Sequence, residues 1–129
     1  MFRWIPKTAI IEFHKELISE HGGLQGAIAI RHDLLDSTLA RPKQLEAYSS
    51  LANIFELAAS YGFGFAKNHC FSDGNKRIAL VSIDVFLQLN GYELTAEEVE
   101  TAIVIEDLAA GKILEEELAV WIGKNSIRH

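Results

Sequence analysis

The amino-acid sequence predicts an all-α fold, a compact helical bundle formed by a single domain that spans residues 1–129. Three observations support this prediction. Hydrophobic residues make up 49% of the chain and charged residues 23%, the balance of an ordinary globular protein with a substantial core. Apolar residues recur at three- and four-residue steps, and no segment alternates apolar and polar residues for long enough to predict a strand. The length suits one hydrophobic core and is too short for two.

The first part of the chain is predicted to form two helices. Thr8 is the predicted N-cap of a helix over about residues 8–20, which the glycine-rich segment 21–26 ends. This helix should turn four apolar side chains toward the core: Ile11, Phe13, Leu17 and Ile18. A short second helix over about residues 33–40 should end ahead of Pro42, because the residue before a proline disfavours helical backbone.

A longer third helix is predicted from about Gln44 to His69. Its apolar residues recur on one face, which should be buried: Leu51, Ile54, Phe55, Ala58, Tyr61 and Phe65. Gly62 and Gly64 resemble the start of a dinucleotide-binding loop, but no predicted strand precedes them. We therefore interpret these glycines as positions of close helix packing.

The second half of the chain is predicted to contain three more helices. Nine of the twelve residues 78–89 are apolar and surround the helix axis, so this helix should lie at the centre of the bundle and end at Gly91. A capping-box pattern, Thr-Ala-Glu-Glu, opens the next predicted helix, over about residues 95–109. The last helix is predicted over about residues 114–122.

Composition excludes several classes of function. The formal net charge of -6 and the lack of a Lys/Arg run argue against nucleic acid as a direct partner. A single cysteine cannot form an internal disulfide and does not suggest a zinc site. No apolar stretch is long enough to span a membrane, and the N-terminus lacks the pattern of a secretory signal. We therefore expect a cytoplasmic protein without a membrane partner.

The connection between the third and fourth predicted helices carries residues suited to binding an anion. Asp73, Gly74 and Asn75 are turn formers, and the helix that follows directs its unpaired N–H groups and positive dipole end into that turn. Gly74 permits a positive φ and a close approach of an oxyanion to the backbone. Lys76 and Arg77 add two positive charges, which are unfavourable at a helix N-terminus unless an anion joins them.

Two neighbouring side chains, Asp73 and His69, extend this chemistry, and two others hold the loop in place. Asp73 offers an oxygen ligand for Mg²⁺, which commonly binds one or two carboxylates together with nucleotide phosphates. His69 is the candidate general base, because a neutral imidazole can accept a proton from a serine, threonine or tyrosine hydroxyl. Phe71 is interpreted as an apolar pin that holds the loop on the core, and Cys70 as a small buried hydrophobe.

Residues 69–77 read His-Cys-Phe-Ser-Asp-Gly-Asn-Lys-Arg, which resembles the Fic/Doc signature His-x-Phe-x-(Asp/Glu)-(Gly/Ala)-Asn-(Gly/Lys)-Arg at all seven specified positions. Further segments are similar to death-on-curing (Doc-type) proteins, and they occur in the same order: residues 21–26, 34–37, 39–42, 64–68 and 89–92.

The resemblance implies a helical protein that binds ATP or another nucleoside triphosphate with Mg²⁺ and modifies a hydroxyl of a protein target. The implied roles fall on the matching residues: His69 as base, Asp73 as metal ligand, and Gly74, Asn75, Lys76 and Arg77 as phosphate contacts.

Lys76 decides the predicted subclass. Most Fic proteins carry glycine at this position and transfer AMP, whereas the Doc-type branch carries lysine and acts as a kinase toward elongation factor Tu. A long cation in place of glycine would attract charge where the α-phosphate lies in AMP transfer, so the nucleotide could bind reversed. The alternatives are a Fic-type AMP transferase and a catalytically idle module that binds an antitoxin.

Two departures from the family pattern bear on activity and regulation. Many relatives have proline where this chain has Cys70, which predicts a less rigid His69 and weaker activity. The self-inhibitory Ser/Thr-x-x-x-Glu-Gly/Asn segment of some Fic proteins has no counterpart in the sequence. Restraint is therefore expected from a cognate antitoxin, Phd-like or other, whose disordered segment folds on the toxin. No pattern assigns a role to Arg31 or Arg41.

Overall fold

The computed structural model describes residues 1–20 and 29–129, which contain six helices and one two-stranded sheet. In chain order the elements are α1 (Lys7–Glu20), α2 (His32–Tyr48), α3 (Ile54–Asn68), α4 (Asn75–Leu89), β1 (Tyr92–Leu94), α5 (Glu98–Ala109), α6 (Glu115–Lys124) and β2 (Ser126–Arg128). The all-α prediction is confirmed, since each strand has three residues. Among the described helices, none has the length and apolar character that crossing a membrane requires.

Helix α3 lies at the centre of the fold and contacts α2, α4, α5 and α6. Ten of its fifteen residues are buried. A Cβ on Gly62 would lie 2.6 Å from Cδ1 of Ile83 in α4, and one on Gly64 would lie 2.8 Å from Cγ2 of Thr38 in α2. The prediction that these glycines serve close packing is confirmed, because a Cβ at either position would displace a side chain of the neighbouring helix.

Helix α1 begins one residue before the predicted N-cap, so Thr8 lies inside its first turn. Pro6, whose φ is restricted to a helical value, precedes the helix, and its carbonyl accepts the Ala9 N–H at 3.1 Å. The buried stripe of α1 consists of Ile10, His14 and Ile18, while Phe13 is half-buried. The predicted end of this helix in residues 21–26, and the resemblance noted there, lie outside the described residues.

The predicted end of the second helix ahead of Pro42 is wrong, because α2 continues through this proline to Tyr48. A proline inside a helix removes one hydrogen bond and costs about 3 kcal/mol. Tertiary contacts offset this cost. Pro42 is buried, and the adjacent Arg41 guanidinium donates to the carbonyl and hydroxyl of Ser60 in α3 at 3.2 and 3.1 Å. Arg41 also pairs with Glu115 of α6.

The helix predicted from Gln44 is divided in two, because residues 49–53 separate α2 from α3. Asn53 caps α3: its side-chain oxygen accepts the Glu56 N–H at 2.9 Å, and the Glu56 carboxylate accepts the Asn53 N–H at 3.0 Å. This capping box is visible in the sequence and locates the start of α3. Leu51, predicted to be buried, lies in the connection and is 90% exposed.

The helix predicted over residues 78–89 is confirmed as α4, which begins three residues earlier, and the last two predicted helices correspond to α5 and α6. The predicted central place of α4 is wrong, because six of its fifteen residues are buried and they lie on one face, whereas α3 is the central helix. The capping box predicted at Thr95 is wrong, because the Thr95 hydroxyl donates to the Asn125 carbonyl at 2.8 Å instead. The sheet was not predicted, since strands this short cannot display an alternating pattern. In it β1 runs antiparallel to β2, with Tyr92 opposite Arg128.

Candidate active site

The candidate active site is the turn between α3 and α4, which begins with His69. This residue ends α3 in a left-handed conformation, with φ 50° and ψ 51°, and it is the one non-glycine residue with positive φ in residues 1–20 and 29–129. Left-handed backbone costs a non-glycine residue about 1 to 2 kcal/mol and often marks a functional position. His69 is exposed, while the next two residues are buried. The predicted base is therefore accessible to a hydroxyl of another protein.

Cys70 and Phe71 anchor the turn on the core. Both side chains are buried, at 0% and 2% exposure, as predicted. The Cys70 carbonyl accepts the Arg31 N–H at 2.8 Å, and Sγ lies 3.3 Å from Oγ1 of Thr38. Burial raises the pKa of the Cys70 thiol, against a smaller opposing effect of the Thr38 hydrogen bond. These contacts hold the backbone beside His69.

Asn75 closes the turn through both ends of its side-chain amide. Its Oδ1 accepts the Phe71 N–H at 3.0 Å, and its Nδ2 donates to the Phe71 carbonyl at 2.8 Å. The amide side chain is therefore occupied inside the turn. The predicted phosphate contact of Asn75 fits its backbone N–H better than its side chain.

The start of α4 has the geometry expected of an anion cradle. Gly74 occupies the N-cap position with φ 85°, and because it has no side chain it cannot cap the helix. The first intrahelical bond runs from the Ile78 N–H to the Gly74 carbonyl at 3.0 Å, so the N–H groups of the three residues between them have no acceptor inside the helix. These groups and the helix dipole attract an anion such as a phosphate.

Lys76 and Arg77 are paired with carboxylates of α5 that the sequence interpretation missed. Lys76 bonds Glu106, and Arg77 Nη1 lies 2.6 Å from Glu98 Oε1. The four side chains are 43–60% exposed. These carboxylates explain how two cations are tolerated at a helix N-terminus without a bound anion, which corrects the inference that their placement requires one.

Asp73 fits a magnesium site only if the nucleotide supplies further ligands. Its side chain is exposed, and Oδ1 accepts the Gly74 N–H at 2.8 Å. No cluster of three or more potential metal ligands occurs in the part of the chain that the structure describes. One carboxylate combined with phosphate oxygens and water is a common arrangement for Mg²⁺, so the donor set agrees with the predicted role.

A second histidine, His14 of α1, contacts the turn from the buried side. Its ring stacks on Phe71 with centroids 3.8 Å apart, and its Nε2 lies 2.8 Å from the Asp73 carbonyl oxygen. Nothing near His14 in the sequence suggests this partner, so sequence alone gives it no role at the site. Its position on the buried stripe of α1 was the available signal.

The chain matches known proteins over a range that includes this turn. The model of the Fic/DOC family matches residues 4–87, a range that includes the whole turn from His69 to Arg77. The chain belongs to the Fic/DOC family. "Protein kinase doc" of Escherichia phage P1 is 32% identical over 111 residues, which cover 86% of each chain. "Toxin Doc" of Mycolicibacterium smegmatis is 36% identical over 77 residues, or 56% of this chain and 57% of that protein.

These matches confirm the resemblance to Doc-type members of the family. In this Fic/Doc protein, the signature residues lie in the matched range, whereas Glu98 and Glu106 lie beyond it. The ion pairs of Lys76 and Arg77 are therefore a feature that the family match does not describe.

Proposed function

We propose that this protein is a Doc-like toxin that transfers the γ-phosphate of ATP, or of another nucleoside triphosphate, to a hydroxyl of a protein target. The main observation that supports this proposal is the exposed His69, followed by the uncapped start of α4, whose first turn bears Lys76. A phage relative named as a protein kinase supports the same reaction. Elongation factor Tu is the proposed target, so the reaction would occur in the cytoplasm and stop translation.

His69 would act as the general base. It accepts the proton of the target hydroxyl as the hydroxyl oxygen bonds to the γ-phosphorus. The bond from that phosphorus to the oxygen bridging the β-phosphate breaks, and the nucleoside diphosphate leaves. The N–H groups at the start of α4, with Lys76 and Arg77, stabilise the phosphate charge. Mg²⁺ held by Asp73 and phosphate oxygens would supply additional positive charge.

Binding of the triphosphate would compete with the α5 carboxylates. Exposed ion pairs such as Lys76–Glu106 and Arg77–Glu98 typically contribute about 0.2 to 1 kcal/mol each. A triphosphate carries several negative charges and can accept hydrogen bonds from the helix N-terminus at the same time. The two cations can therefore exchange carboxylate partners for phosphate at a small cost.

AMP transfer is the second candidate activity, because the signature of the turn is shared with Fic proteins. In that reaction the hydroxyl oxygen bonds to the α-phosphorus and pyrophosphate leaves. Lys76 favours the first candidate, since its charge at the start of α4 suits a reversed nucleotide. A catalytically idle module that only binds an antitoxin is the third candidate.

One labelling experiment separates these activities. Purified protein is incubated with elongation factor Tu and with ATP labelled at either the γ- or the α-phosphate. Label from the γ-position on the factor supports the kinase, and label from the α-position on a protein target supports AMP transfer. Absence of transfer with both nucleotides supports the idle module and contradicts the proposed activity.

Two variants assign the reaction to the turn. His69→Ala should abolish transfer, whereas His129→Ala, which removes an exposed histidine beside the sheet, should leave it unchanged. Lys76→Gly should shift labelling from the γ- toward the α-phosphate if the lysine sets nucleotide orientation. Unaltered γ-transfer in Lys76→Gly would contradict this account of specificity.

The proposed partner is a cognate antitoxin with a segment that folds on this protein. The relatives' names, "Toxin Doc" among them, support a toxin–antitoxin module. A short antitoxin reading frame beside the gene, and suppression of growth inhibition when both proteins are expressed together, would support the partner. Growth inhibition that the neighbouring protein cannot suppress would contradict it.

A further inference from the structure

We infer that His14 is a positioning residue of the active site. It orients the Asp73 carboxylate and the start of α4 from the buried side of the turn. The inference rests on the proposed nucleotide-dependent function of the turn. His14 lies on α1, is only 3% exposed and has no place in the transfer reaction itself. Its hydrogen bond and its ring stacking are both with the turn that follows His69.

The first contact is a hydrogen bond to the backbone of the turn. Nε2 of His14 lies 2.8 Å from the Asp73 carbonyl oxygen. A carbonyl oxygen can only accept, so Nε2 carries a proton and donates it. This requirement sets the direction of the ring, because the donor must face the turn.

The other contacts fill the space beneath the turn. The imidazole stacks on Phe71 with an interplanar angle of 10° and a centroid distance of 3.8 Å. A Cβ placed on Gly74 would lie 3.3 Å from Nε2 of His14. The ring therefore contacts the side chain of Phe71 and the carbonyl of Asp73, and it leaves little room for a side chain at Gly74.

The rigid peptide group between Asp73 and Gly74 links the hydrogen bond from His14 to the carboxylate of Asp73, the candidate Mg²⁺ ligand. The Asp73 carbonyl and the Gly74 N–H belong to one planar peptide group and point in opposite directions. Because His14 holds the carbonyl, it also sets the direction of the Gly74 N–H, which donates to Asp73 Oδ1 at 2.8 Å. Loss of the His14 donor should let this peptide group rotate and release the carboxylate.

The test compares His14→Leu, which lacks a donor, with His14→Gln, which retains an N–H donor on a flexible side chain. In His14→Leu the Mg²⁺ concentration for half-maximal phosphate transfer should rise about tenfold, the effect of one lost hydrogen bond on a group that it orients. His14→Gln should recover most of this loss. Ile18→Val removes a methylene group from the same buried stripe, about one helical turn from His14, and it should leave the Mg²⁺ dependence unchanged.

A second readout does not depend on nucleotide. The Gly74 amide, followed by NMR hydrogen exchange, should exchange several-fold faster in His14→Leu than in the unaltered protein, and His14→Gln should restore its protection. Unchanged Gly74 exchange in His14→Leu, or equal changes in Ile18→Val at equal loss of stability, would overturn the inference. Absence of label transfer in the unaltered protein would instead contradict the proposed function, while the exchange experiment would still decide the role of His14.

Discussion

Replacement of Gly74 by alanine measures how closely α1 packs beneath the turn. At φ 85° an alanine costs about 1 to 2 kcal/mol relative to ordinary backbone. Its Cβ would also lie 3.3 Å from both His14 Nε2 and Leu17 Cδ2, and such crowding adds about 1 kcal/mol. Alanine also lowers the conformational entropy of the unfolded chain, which offsets about 0.4 to 1 kcal/mol of this loss of stability. We therefore expect Gly74→Ala to lower the free energy of unfolding by about 1 to 2.5 kcal/mol.

Gly111→Ala is the matched control for this prediction. Gly111 also has positive φ, at 78°, but no described atom lies within 4 Å of the position that the alanine methyl would take, so only the backbone effect applies. For a chain of this size, 1 kcal/mol corresponds to about 3 to 4 °C in melting temperature. Thermal unfolding followed by circular dichroism should show Gly74→Ala about 4 °C below Gly111→Ala, from the crowding alone. Equal melting temperatures would refute the packing of α1 against the turn.

Other substitutions and a pH series test the chemistry and the core separately. His69→Asn should lower phosphate transfer about 100-fold or more, because the general base is lost. The melting temperature should be unchanged or higher, since asparagine tolerates left-handed backbone. A lower melting temperature would argue against the left-handed conformation of residue 69. Glu115→Gln, which removes the charge partner of a half-buried arginine in α2, should lower the free energy of unfolding by about 1 to 2 kcal/mol in urea denaturation. Asp36→Asn breaks the exposed pair with Lys7 and should change the free energy of unfolding by less than about 0.5 kcal/mol. Equal effects of Glu115→Gln and Asp36→Asn would contradict the difference in burial between the two ion pairs. Burial raises the pKa of both the Cys70 thiol and the Tyr61 phenol, so the unfolded chain loses these protons first. Stability should be fully present below about pH 8.5, the ordinary pKa of a free thiol, and should fall as the pH rises further, and a flat profile in equilibrium unfolding would contradict the burial of these groups.

Local sequence pattern accounts for the helices whose buried face is continuous. The apolar residues of α3 recur every three or four positions, so their burial could be predicted without knowledge of the partners. In α4 the apolar residues surround the helix axis, so the sequence did not show which single face is buried. The break between α2 and α3 was also present in the sequence, as the capping box of Asn53 and Glu56, but the apolar periodicity that continues across it obscured the signal. Pro42 could not be placed in a helix from pattern alone, because distant contacts offset its local cost.

Residues that are close together along the chain account for the all-helical class, the turn that begins at His69 and the Fic/Doc signature, so these could be predicted from the sequence. The pairing of Glu98 and Glu106 with the cations of α4, and the contact of His14 with Asp73 from 59 positions away, depend on tertiary packing. These partners meet because α1 and α5 both pack against α4. Local periodicity determines which face of a helix is buried, but the side chains that meet across two helices depend on how the whole bundle packs.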